Sequence, residues 1–120
     1  MGATHVTVAV SNPADAERRW EGLFLVDTGA TDSLVPAKYL RAIGIKPEGH
    51  RSYELANGQE IRLEIGLMRI EFMGEITGGI VIFGDDNAEP LLGVTALESV
   101  GIEVDPKNQR LKRLPAVRLK

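Results

Sequence analysis

Cysteine is absent from the 120 residues of the chain. That excludes a disulfide framework and thiol chemistry, and it fits an intracellular, cytoplasmic home. Long apolar runs are missing as well, and nothing approaches the roughly 20 residues that a membrane-spanning helix needs. The opening "MGATHVTVAV" has neither the basic segment nor the apolar stretch of a secretory signal. Val6 also stands where N-myristoylation needs Ser or Thr. There is no excess of positive charge, since 17 acidic side chains face 14 basic ones. The electrostatic footprint of a nucleic-acid partner is therefore lacking, and the basic "KRLPAVRLK" reads as a solvated tail. Histidine is scarce: His5 and His50 stand alone without ligand spacing, so no metal or other cofactor is expected.

What is present is ordinary globular composition, 43% hydrophobic and 26% charged. Residues 1–120 are read as one domain, large enough for a core without metal or disulfide support. From Thr4 to Val10, Val6, Val8 and Val10 alternate with His5, Thr7 and Ala9, the pattern of a half-buried strand. "SNPADAE" reads as a loop turning at Asn12-Pro13, and Trp20 to Val26 as a second strand ending at Asp27. "PAKYLRAIG" predicts a short helix, with Pro36 at its start and Gly44 as its stop.

Residues 51–65 predict a hairpin around Asn57-Gly58. A loop of odd length, Asn57–Gln59 or Ala56–Glu60, pairs Leu55 with Ile61 and Tyr53 with Leu63 on one face. It sets Glu54 opposite Arg62 on the other. Met68, Ile70 and Phe72 mark another half-buried strand, and "GGIVIFG" a strand buried on both faces. "DDNAEP" is a loop and "PLLG" a short apolar segment. "VTALESVG" is one or two helical turns, and "IEVDPKNQRLKRL" a strand pair turning at Asp105-Pro106. The whole is mostly β with two short helices, a closed or sandwiched β fold.

Most chemistry can be set aside by pattern. The acidic loop from Asp85 fails as a calcium loop, because Pro90 replaces the turn glycine and Ala96 stands where the bidentate Glu belongs. "TGGIVIFG" opens a strand, not the helix a phosphate loop requires. Ser33 and Ser99 lack the context of a nucleophile. There remains Asp27, an aspartate carried to the end of an apolar strand, where burying it unpaired would be costly. It either caps a turn, with Gly29 supplying an unusual φ, or faces another charge.

The stretch "FLVDTGATDSLVP" resembles the active-site motif of the aspartic proteases, retropepsins and pepsin-like enzymes alike. The resemblance continues in order over nearly all of residues 4–113. The Asn-Gly hairpin lies where a retropepsin flap runs, "GGIVIFG" where the strand after the flap runs, and "PLLGVTALESVGIEVD" resembles the apolar-apolar-Gly segment, helix and closing strand. The likeness is closest to the small prokaryotic retropepsin-like aspartyl proteases. It implies a mostly β, retropepsin-like barrel or sandwich with a flap hairpin, assembled as a homodimer.

The implied chemistry needs two carboxylates at one site, one ionised to take a proton from water and one protonated to polarise the carbonyl. Two carboxylates about 3 Å apart cannot both ionise, so they share one proton. The chain carries one Asp-Thr-Gly, so Asp27 must meet its copy across a two-fold axis.

By resemblance, Thr28 reaches to the partner's backbone and Gly29 allows close approach. Ala30, Thr31, Asp32, Ala56, Asn57, Gly58 and Leu91 contact an extended peptide or protein substrate. Retroviral enzymes usually carry Asp where Thr31 stands, and here the acid comes one residue later, as Asp32. Glu89 reads as solvated. Two further readings stay open: a dimer of this fold that binds peptide or a partner without cleaving it, and a monomeric β domain with a capped turn.

Overall fold

The computed structural model describes residues 3–117 and residue 119. Met1 and Gly2 of the opening segment and Arg118 and Lys120 of the basic tail lie outside the described residues. Nine strands and two short helices are formed among the described residues: β1 (His5–Asn12), β2 (Asp15–Asp27), β3 (Ser33–Pro36), α1 (Ala37–Ala42), β4 (Gly49–Glu54), β5 (Glu60–Phe72), β6 (Glu75–Gly84), β7 (Leu91–Gly93), α2 (Val94–Ser99), β8 (Ile102–Asp105) and β9 (Arg110–Arg113).

Seven strands make one sheet in the order β1-β2-β7-β3-β6-β5-β4, and a further pairing of β1 with β5 closes it on itself. The closed β architecture expected from the strand pattern is therefore present, with β4 left outside the ring on β5 alone. Closure also explains the burial of β1. Val8, Ala9, Val10 and Ser11 are all buried, because that end of β1 pairs with both β2 and β5. The core gathers Val8, Val10, Phe24, Val35, Leu40, Met68, Phe72, Val81 and Leu92 inside the ring.

Two features run against simple hairpin logic. β2 and β7 are parallel, pairing Leu25 with Leu91, Val26 with Leu92 and Asp27 with Gly93. β3 and β6 are parallel too, from Ser33–Val81 to Pro36–Gly84. Parallel strands are covered on both faces, which is why "LLG" and "IVIF" read as continuous apolar runs.

Several boundaries differ from the sequence reading. "SNPADAE" is not a loop: β1 runs to Asn12 and β2 resumes at Asp15, leaving a two-residue connection. β5 is one continuous strand of 13 residues rather than two pieces. The hairpin loop is odd, as the facing of the side chains requires, but its register is shifted. Tyr53 pairs with Ile61 and Glu54 with Glu60, not with Leu63 and Arg62. The turn decides this, because Gly58 holds a φ of +86° and its N–H donates to the Leu55 carbonyl at 2.8 Å. A glycine in that conformation fixes where the chain reverses, and the exposed Glu54–Glu60 pair tolerates the like charges.

Both helices stop at the glycines the sequence singles out, Gly44 (φ +80°) and Gly101 (φ +70°). After α1 the N–H of Ile45 donates to Leu40 and that of Gly44 to Arg41, the double bond of a Schellman end. The start of α1 has no side-chain cap of its own. Asp86, in the acidic loop after β6, accepts the Lys38 N–H at 3.0 Å instead.

Candidate functional site

Asp27 is the last residue of β2, at the end of the barrel where β7 also finishes. Beyond it the chain turns back at once, and the Ala30 N–H donates to the Asp27 carbonyl at 3.1 Å. The Gly29 N–H donates to Asp27 Oδ1 at 2.9 Å, so the loop orients its own carboxylate. A Cβ on Gly29 would stand 3.3 Å from that oxygen. The turn-capping role foreseen for Asp27 is thus real and engages one of its two carboxylate oxygens. Gly29 supplies no unusual φ, however, since it is not among the glycines with positive φ.

The rest of the loop is fastened to β7 and α2. The Val94 N–H donates to the Ala30 carbonyl at 2.8 Å and the Thr95 N–H to the Thr31 carbonyl at 3.3 Å. The buried Gly93 N–H donates to Ser33 Oγ at 3.0 Å. A Cβ on Gly93 would lie 2.6 Å from the Asp32 carbonyl carbon and 2.8 Å from the Thr31 oxygen. Both neighbours are backbone, so only glycine lets the loop pack this closely. The Gly of "LLG" and the Asp-Thr-Gly loop are two halves of one contact.

Above the loop lies an open groove of about 940 Å³. Asp27 and residues 29–32 form its floor, and residues 51–56 of β4 and the hairpin its roof. Leu55, Ile61, Leu63 and Ile82 give it an apolar wall. The hairpin tip is stabilised locally, with the Leu55 N–H donating to the Gln59 carbonyl at 2.7 Å. Asn57 Oδ1 accepts the Gln59 N–H at 2.9 Å.

Floor and roof are joined at one point. Asp32 Oδ2 accepts from Arg51 Nη1 at 2.8 Å and from the Tyr53 hydroxyl at 2.7 Å. Asp32 is only 8% exposed, so it lines the groove with a carboxylate that is largely buried and already engaged by these two donors. The arrangement raises the Arg51 pKa, first through its hydrogen bond to Asp32 and then through that residue's charge. Tyr53 is pushed up to about 12, chiefly by burial and then by its bond to Asp32.

Of the residues singled out in the sequence, Asp27, Gly29, Ala30, Thr31, Asp32 and Ala56 line this groove. Asn57 and Gly58 shape the hairpin tip but do not line it. Leu91 lies half-buried in β7 between Leu25 and Leu34, and Thr28 faces elsewhere. Thr28 borders a second cavity of about 500 Å³, with Val94, Leu97, Ile102 and Val104 among its walls. Glu89 is exposed, as the sequence suggests, and pairs at the surface with His5 Nε2 at 3.1 Å. Arg51, Tyr53 and Ser33 were missed by sequence reasoning. The one signal was the two-residue spacing that sets Arg51 and Tyr53 on one face of β4.

Comparison with known proteins agrees with this geometry. The family model described as gag-polyprotein putative aspartyl protease matches residues 20–99. No curated protein matches the sequence. Among solved structures, the solution structure of simian foamy virus (mac) protease is 15% identical, with a TM-score of 0.55, over 78% of this chain and 90% of that one. The EIAV protease complexed with the inhibitor HBY-793 is 16% identical, with a TM-score of 0.58, over 87% and 93%. At such identities these two speak for the fold, while the family match runs from Trp20 in β2 to Ser99 in α2 and takes in the Asp27 loop, the hairpin and β7. The chain therefore belongs to the gag-polyprotein aspartyl protease family and has the retropepsin-like fold.

Proposed function

We propose that the protein is an aspartic endopeptidase that acts as a homodimer, with Asp27 of each subunit meeting at a two-fold axis. One observation carries this: each chain supplies a single carboxylate on the groove floor, held by one oxygen, beside a second acid already engaged. Asp27 keeps Oδ2 beyond its bond to Gly29, while Asp32 is closed off by Arg51 and Tyr53. Carboxylate hydrolysis needs an acid and a base together, and a second copy of Asp27 is the group that can complete the pair.

In the dyad one carboxylate is ionised and the other holds the shared proton. The ionised group takes a proton from water as the water oxygen bonds to the peptide carbonyl carbon. The protonated group donates to the carbonyl oxygen. Collapse of the tetrahedral adduct breaks the C–N bond, and a proton passes to the leaving nitrogen. In this reading Thr28, exposed at the turn, reaches to the partner's backbone. Extended peptide lies strand-like along the floor at Ala30 and Thr31, beneath Ala56, with Asn57 and Gly58 closing over it. A shared proton gives a bell-shaped pH profile on the acid side of neutrality.

The test is digestion of a proteome-derived peptide library by wild type and by Asp27→Asn. The substitution is expected to lower cleavage by about 10²–10⁴-fold or more while dimer formation persists in sedimentation. Cleavage that survives it would sink the proposal. A dimer that binds peptide, with no cleavage by wild type at any pH, would favour a silent binding module.

A further inference from the structure

We infer that Asp32, Arg51 and Tyr53 form a latch that holds the hairpin over the Asp27 loop, which makes them positioning residues for the groove. The inference deepens the protease proposal and rests on it for its kinetic part only. None of the three is assigned to the reacting atoms.

The base of the latch is rigid. Asp32 belongs to the segment whose backbone lies against Gly93, and the adjoining Ser33 is 3% exposed and bonded to the Gly93 N–H. The roof has no comparable support. β4 has β5 as its single strand neighbour, outside the closed ring. Residues 54–62 are exposed throughout, including Leu55 at 43% and Ile61 at 38%. Core packing therefore does not fix the height of the hairpin above the floor. A segment so poor in buried contacts opens at low cost unless something else ties it down.

The tie is at the stem, where two donors from β4 converge on one buried oxygen of the floor. Bonds to a carboxylate are shorter and stronger than neutral ones. The acceptor here is buried, with the Asp32 side chain 7% exposed, while Arg51 reaches it from a side chain that is 46% exposed. Tyr53, with its hydroxyl held protonated well beyond neutrality, stays a donor wherever the dyad can act. Arg51 and Tyr53 are two residues apart on one face of β4, so the stem is gripped along its length. Beyond Tyr53 no such grip is formed among the described residues, and the exposed residues 54–60 are the part that lifts for substrate.

The test uses the missing cysteines. Asn57→Cys provides a single spin-label site at the hairpin tip, and the label's mobility is read in otherwise wild-type, Tyr53→Phe, Asp32→Asn, Arg51→Gln and Arg51→Lys backgrounds. Kinetics are measured on unlabelled chains with the library peptide best cut by wild type. Tyr53→Phe keeps the ring and guards against a loss of fold, which thermal melting checks in each variant.

The latch predicts a more mobile label in Tyr53→Phe, Asp32→Asn and Arg51→Gln, with partial recovery in Arg51→Lys. It predicts a fall in kcat/KM of about tenfold, carried mainly by KM. Asp32→Asn combined with Tyr53→Phe should be little worse than Asp32→Asn alone, because both break one connection. Equal label mobility in all folded variants would overturn the latch, as would losses that simply add. If Asp27-dependent cleavage were never found, label mobility would still decide the latch, so the two proposals fail separately.

Discussion

The floor and the roof of the groove are built by opposite means. The Asp27 loop is set mainly by buried backbone: the approach at Gly93, whose N–H is taken by the Ser33 hydroxyl, and carbonyls of residues 30 and 31 paired into α2. The hairpin is exposed, locally turned at Gly58, and joined to the floor through side chains alone. On the proposed function, precision is placed where the carboxylate would meet its copy, and compliance where a peptide would enter. Backbone contacts tolerate almost no substitution, whereas side-chain ties can be loosened one bond at a time.

Gly93→Ala attacks the rigid side most directly. The new methyl meets backbone at 2.6–2.8 Å, so the loop must move. Overpacking of this kind costs about 1–3 kcal/mol in denaturant unfolding. A shift of the Asp27 loop should lower kcat/KM by about a hundredfold. Ser33→Ala is next: it leaves the buried Gly93 N–H without its acceptor, which costs about 1–3 kcal/mol of stability. Its counterpart on the compliant side, Asn57→Ala, removes an exposed turn bond and should change stability by no more than about 0.5 kcal/mol. Equal costs for that pair, measured side by side, would erase the distinction between the two regions.

The smallest effect is one of pH. The Tyr53 pKa is raised from 10.0 to about 12 on folding, so the folded state favours the protonated phenol. Its contribution is complete below pH 10 and is lost as the pH climbs through about 12. Denaturant unfolding across that window should show stability falling with pH in wild type and falling less in Tyr53→Phe. An identical slope in both would mean that the hydroxyl is not held as described.

Much of this was legible in the residues. Alternation gave β1 and the core face of β5, and the glycines at 44 and 101 gave the ends of both helices. The apolar strand ending at Asp27 gave the site. What stayed hidden depends on partners distant in sequence. β3 is four residues including Ser and Pro, and it becomes a strand because β6 lies parallel beside it. The hairpin register differs by two residues because side-chain facing fits either pairing and the turn at Gly58 selects the tighter one. Asp32 was expected to face substrate, and nothing local says that Arg51 and Tyr53, some 20 residues on, enclose its carboxylate. Likewise nothing in the short apolar segment "PLLG" shows that Gly93 lies against the backbone of residues 31 and 32.

The central claim is that one catalytic site is shared by two chains. It is tested most directly by titrating Asp27→Asn chain into a fixed amount of wild type, at concentrations where the dimer prevails, and following peptide cleavage. Mixed dimers carry a single Asp27, so an equal addition should leave about half of the activity, and further additions progressively less. Cleavage that stays constant however much Asp27→Asn chain is added would contradict the shared dyad.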